Sequence, residues 1–99
     1  MEISFEFSKH VGPRFIQGAV RLEFDSSKPY SFHSKADWPA GHDFTGAVRE
    51  GVEAALLERL GSLSSVAVVL KSVTLHPVDS CEEGFRRAAR AATEAAFAV

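Results

Sequence analysis

A single cysteine among 99 residues leaves no internal disulfide to form, so the fold must be held by its core alone, as in a reducing compartment. No apolar run approaches the roughly 18–20 residues that cross a bilayer. Met1-Glu2-Ile3-Ser4-Phe5-Glu6 carries neither a basic n-region nor an apolar h-region, which predicts a chain that is not secreted. The expected setting is cytoplasmic, with no membrane contact. Charge of one sign is also scarce: the net value of −2 supplies no global field for a polyanion, so contact with nucleic acid would need a local patch. Tyrosine and tryptophan occur once each against eight phenylalanines, which assigns the aromatics chiefly to a core.

Chemistry-bearing patterns are missing as well. His10, His33, His42 and His76 have no paired metal-ligand spacing such as His-x-x-x-His. There is no Gly-x-x-x-x-Gly-Lys-[Ser/Thr] phosphate loop, no nucleophile elbow and no pair of carboxylates set for acid–base work. Cys81 is expected in the first turn of a helix without a histidine near it in sequence, and reads as a silent small residue. The expectation is a non-enzymatic chain with no cofactor, metal or nucleotide.

What is present is periodicity. Ile3, Phe5 and Phe7 alternate with Glu2, Ser4, Glu6 and Ser8, the period-2 pattern of a half-buried strand. Lys9-His10-Val11-Gly12-Pro13-Arg14 reads as a loop around Gly-Pro. A second strand puts Val20, Leu22 and Phe24 on one face and Arg21, Glu23 and Asp25 on the other. After the turn Asp25-Ser26-Ser27-Lys28-Pro29, a third strand points Tyr30 and Phe32 inward and Ser31 and His33 outward. Trp38-Pro39-Ala40-Gly41 leads into a helix with Asp43 or Thr45 as N-cap, Val48, Val52, Ala55, Leu56 and Leu60 facing the sheet, and Gly61 ending it.

In the strand over residues 66–75, Val66, Val68 and Leu70 share one parity while Val73 and Leu75 take the other. That switch around Lys71-Ser72 predicts a bulge or a strand buried on both faces. Ser80 and Glu83 form a capping-box pattern before a final helix whose Phe85, Ala88, Ala89, Ala92 and Ala96 line one face. Arg86, Arg87 and Arg90 lie at i,i+4 spacing from Glu82, Glu83 and Glu94, a solvated face laced with ion pairs. The order β-β-β-α-β-α over residues 1–99 predicts one α+β domain, a two-layer sandwich with both helices on one face of a four-stranded, mostly antiparallel sheet.

The run from Ala47-Val48 and Gly51-Val52 through Val68-Val69-Leu70 to Val78-Asp79-Ser80-Cys81-Glu82 and Phe85 resembles the fourth domain of bacterial translation elongation factor G. Upstream, Lys9, Gly12, Arg14 and Gly18 fall in register with that family's Lys-Gln-Ser-Gly-Gly-Arg-Gly-Gln loop, and Pro29-Tyr30-Ser31-Phe32 is similar to its Gly-Phe-Glu-Phe strand. The resemblance covers nearly the whole chain. It implies the fold of the second domain of ribosomal protein S5, with a left-handed β-α-β crossover where the general rule favours a right-handed one. It also implies that Lys9, His10, Gly12, Arg14 and His76 gather at the end of the sheet that the factor directs towards messenger and transfer RNA.

Lys9 and Arg14 could there meet phosphates, and His76 could stack on or hydrogen-bond to RNA, making the ribosome or another structured RNA the expected partner. Two departures weigh against copying that role. The family's Gly-Gly-Arg-Gly-Gln has become Gly12-Pro13-Arg14-Phe15-Ile16, and its longer second tip is cut to His76-Pro77. The alternative is a protein-interaction module, binding a protein partner or a second copy of itself. Phe15, Ile16 and Trp38, the apolar residues hardest to place in a core, are the candidates for its patch.

Overall fold

Strict alternation makes the first two strands, β1 (Glu2–Val11) and β2 (Arg14–Asp25), pair antiparallel without interruption from Glu2↔Glu23 to Val11↔Arg14. They are followed by β3 (Ser31–Ser34), α1 (Thr45–Leu60), β4 (Ala67–Thr74) and α2 (Glu82–Ala96), the expected β-β-β-α-β-α order. The computed structural model describes residues 1–63, 65–75 and 80–97, with positions 11 and 14 described by their backbone alone. The sheet is mixed, in the order β1-β2-β4-β3; β2 and β4 are antiparallel, and β3 runs parallel to β4. Both helices join the even-numbered β2 residues Val20, Leu22 and Phe24 in one core, completed by Val66, Val68 and Leu70. No described helix is long and apolar enough to cross a membrane.

The parity switch in β4 is a bulge. Arg21 faces Ser72 and Leu22 faces Leu70, so Lys71 is the extra residue that carries Val73 back to the side of Val20. The opposite face carries exposed Ser4, Glu6, Arg21 and His33 with half-buried Glu23, and its charges pair: Glu2 with Arg21, and Glu23 with Lys71 at 3.9 Å. That face is stable against water as it stands.

Helix α2 lies very close on the sheet because glycine meets glycine. Gly84 sits over the Gln17 backbone and Gly18 over that of Gly84, so a Cβ on either would fall within 2.7 Å of main-chain atoms. Gly51 of α1 abuts Arg86 and Ala89 of α2 in the same way. Ala88, Ala89, Ala92 and Ala96 are buried as expected, and their small size is what admits the close approach.

Several local expectations are corrected. The first loop is shorter than residues 9–14: both strands run on and leave only Gly12-Pro13, with Gly12 at φ 61 as in a type II′ turn. Neither Asp43 nor Thr45 is the N-cap of α1. Phe44 holds that place, while Asp43 Oδ1 accepts from the Thr45 N–H at 2.9 Å, a bond that holds its carboxyl below the usual range. Gly61 does end α1, left-handed at φ 77.

Leu60 is 46% exposed. Steps of four residues drift by ~40° each on a helix of 3.6 residues per turn, so three steps from Val48 carry it ~120° off the core face. The capping box does not form: Cys81 is the N-cap of α2 with no side-chain cap bond, and the Ser80 hydroxyl donates to Gln17 Oε1 at 2.5 Å.

Tyr30 ties the start of β3 to α1 by donating its hydroxyl to Glu53, which also accepts from Arg49 Nε at 2.9 Å. Burial, and then the bond to Glu53, pushes the phenol from its ordinary 10.0 up to about 12. A raised pKa means that this contribution to stability is complete below pH 10 and is lost as pH rises through 12. As the chain has one tyrosine, phenolate absorbance reports Tyr30 without ambiguity. The titration should centre near 12 and fall, though not fully, in Glu53→Gln, because burial persists. An ordinary midpoint in the folded wild type would refute this account.

Candidate nucleic-acid interface

The β1–β2 hairpin outruns the rest of the sheet. The last β2–β4 pair is Ala19↔Thr74, and five further β1–β2 pairs follow, from Phe7↔Gly18 to Val11↔Arg14. At ~3.4 Å per residue that extension is roughly 15 Å. Lys9, His10, Gly12 and Arg14 are all on it, and alternation divides them. Lys9 pairs with Ile16 on the helix side, and His10 pairs with Phe15 on the other. Lys9 and His10 are both exposed. His76 lies outside the described residues.

The three apolar candidates do not form a patch. Ile16 shares the parity of Gly18 and Val20 and is 4% exposed, which makes it a core residue. Phe15 is half-buried and packs on the His10 ring at 4.8 Å between centroids. Trp38 anchors the loop before α1, edge-on to Phe44 at 5.8 Å and to Phe85 at 5.0 Å. Its indole N–H finds no acceptor among the described residues.

At the base of the hairpin stands Gln17, which the sequence reading passed over. Its parity is that of the open face, yet it is only 2% exposed. The amide donates to Glu6 Oε2 at 2.7 Å and accepts from Ser80 Oγ, while its backbone carbonyl accepts from the Cys81 N–H at 3.4 Å. Ser80 bridges Gln17 in parallel, standing beside β2 just past the end of β4. These bonds fix the hairpin root to the start of α2. A glutamine amid exposed serines and glutamates gives no pattern by which to find this.

The arginines of α2 offer no second basic surface. Arg86 meets Glu82 at 2.7 Å, Glu83 at 3.0 Å and Glu50 of α1 at 3.2 Å. Arg87 meets Glu83 at 3.0 Å, and Arg90 meets Glu94 at 3.2 Å as well as Glu58 of α1. The i,i+4 pairs read from the sequence are all present, and the contacts with Glu50 and Glu58 also link the helices. Exposed pairs of this kind contribute little individually, but they leave these cations already neutralised.

Among the described residues, no three His, Cys, Asp or Glu side chains come together as a metal site. The open face carries a depression lined by residues including Ser4, Glu6, Arg21, Ser72 and Thr74.

No family model matches the chain, and no curated protein is similar to it in sequence. Among the solved structures it is similar to is the crystal structure of a protein from Thermus thermophilus. The TM-score is 0.82 at 21% identity, over 95% of this chain but 15% of that one. The architecture is therefore found elsewhere as one part of a much longer protein, and the likeness is one of fold.

Proposed function

We propose that this chain is a non-enzymatic RNA-contacting domain of the kind represented by the fourth domain of elongation factor G, with the ribosome or another structured RNA as its partner. The observation that carries this reading is the projecting hairpin, with Lys9 and Arg14 on either side of the rigid Gly12-Pro13 turn. A hairpin fixed at its root and basic at its tip can place two cations on a phosphate backbone with little ordering cost. The overall charge of −2 opposes non-specific attraction, so binding should depend on this tip.

The experiment is co-sedimentation with ribosomes at two salt concentrations. Lys9→Glu and Arg14→Glu should each weaken pelleting and lower the slope of log affinity against log salt by about one. Unchanged salt-sensitive binding by the double variant would remove the tip from the interface.

A second reading, a protein-interaction module, is favoured by one observation. Phe5 is 36% exposed on β1, which stands at the end of the sheet among the described residues. A dimer that never pellets with ribosomes would decide for it.

A further inference from the structure

Charge is spread unevenly along this chain. Residues 7–18, the projecting part of the hairpin, contain Lys9 and Arg14 and none of the 13 acidic residues. The rest of the molecule carries the whole negative balance, so the tip alone presents positive charge to a polyanion. Register then sorts what the tip displays. The Met1 ammonium donates to the Phe24 carbonyl at 3.0 Å and the Phe24 N–H to the Met1 carbonyl at 2.7 Å, which makes Met1 and Phe24 a bonded pair. Bonded and non-bonded pairs alternate along the unbroken ladder, so Lys9↔Ile16 and Val11↔Arg14 are bonded and His10↔Phe15 is not. Lys9 and Arg14 thus share the parity of the helix side, while His10 and Phe15 stand together on the other. Side chains approach most closely in a non-bonded pair, and these two rings meet at 4.8 Å between centroids, tilted by 59°. Half-buried Phe15 backs the ring of exposed His10.

We infer that the tip takes unpaired rather than double-stranded RNA, with a base stacked on the His10–Phe15 pair and the phosphate backbone held by the cations of the opposite face; this rests on the RNA-contacting reading above. The two faces suit different parts of a nucleic acid. Lys9 and Arg14 attract phosphates whatever the sequence or pairing. A pair of rings gains only from a base whose own face is open, and inside a duplex both faces of each base are covered by its neighbours. An A-form duplex offers instead a deep groove that side chains do not read and a shallow one read through hydroxyls and base edges, and neither engages stacked rings. The turn lets one strand reach both faces. Gly12 and Pro13, which alone separate β1 from β2, are exposed and present little bulk. An unpaired strand laid across them meets His10 on one face and Lys9, its neighbour in β1, on the other. Because the two rings are already packed together, little freedom is lost when a base is added to them.

The test is fluorescence anisotropy of the full chain with a labelled RNA strand of little self-structure, alone and annealed to its complement. The single strand should bind at least about tenfold more tightly than the duplex. His10→Ala should weaken binding of the single strand about tenfold and leave the duplex affinity unchanged. It should also keep the slope of log affinity against log salt, because no phosphate contact is lost. His10→Phe retains a ring and should restore the wild-type affinity. Lys9→Glu should weaken strand and duplex alike and lower the slope. His10 and Lys9 are exposed, so the circular dichroism spectra of these variants should match that of wild type. The two readings fail separately. A duplex bound as tightly as the strand, or an unchanged affinity in His10→Ala beside a lowered slope in Lys9→Glu, would overturn the stacking and leave the cationic tip in place. Salt-insensitive RNA binding, or none, would remove both.

Discussion

Gly84→Ala should destabilise the protein strongly, even though alanine is the better helix former by about 1 kcal/mol. The added Cβ would stand 2.2 Å from the Gln17 carbonyl oxygen and 2.5 Å from its carbon. Both are backbone atoms in a strand bonded on its β1 side, so neither can step aside as a flexible side chain could. Relief requires α2 to lift from the sheet. That would break the Cys81 N–H bond to the same Gln17 carbonyl and withdraw Phe85, the next residue, from the core. The expected loss is at least ~3 kcal/mol, against the roughly 5–15 kcal/mol that separates a folded domain from its unfolded chain.

Gly46→Ala is the control. This exposed α1 glycine has nothing within 4 Å of an added Cβ, so propensity alone acts and stability should rise by up to ~1 kcal/mol. Urea unfolding followed by circular dichroism measures both. A stable Gly84→Ala protein would show that helix and strand do not touch through their backbones.

What the sequence made legible follows from the range of each physical cause. Alternation is local, so β1, β2 and the core faces of Val20, Leu22 and Phe24 could be read directly. The same holds for the parity switch at Lys71-Ser72, because a bulge has to reverse which residues face inward. Strand ends were less accessible. Lys9-His10-Val11 carries no apolar alternation, and it is strand only because β2 continues beside it. Ile16 could have been placed by extending the parity of β2 two residues back from Gly18, had the strand's start been known.

Ser80 shows the harder limit. Its spacing to Glu83 fits a capping box, but the hydroxyl goes to Gln17, 63 residues away in sequence. That partner is set by where β4 ends and α2 begins, which no local pattern reports. The hairpin tip lies between these cases: Lys9, Gly12 and Arg14 were recognisable, but their projection past β4 depends on strand lengths that only the fold supplies.

Phe85→Ala should be the costliest side-chain truncation in the molecule, at about 3–5 kcal/mol. Phe85 is fully buried and heads the set of largest enclosed side chains. Its ring stacks on Phe44 at 5.4 Å and meets the edge of Trp38 at 5.0 Å, so one residue of α2 holds both the start of α1 and the loop that precedes it. Truncation removes the wall on which both rings rest, and Gly84 beside it prevents α2 from sinking further to close the cavity, because that backbone is already in contact with Gln17. The site cannot collapse, which puts the cost towards the upper end of the range. Phe85→Leu keeps most of the volume and should lose about half as much, while Leu60→Ala, at a position 46% exposed, should stay within ~0.5 kcal/mol of wild type. Because the chain has one tryptophan, fluorescence follows the same event: Trp38 emission should shift to the red in Phe85→Ala under native conditions, as its ring gains water before the sheet melts. Equal losses for Phe85→Ala and Leu60→Ala, or an unshifted Trp38, would mean that the Trp38–Phe44–Phe85 cluster does not hold this end of the core.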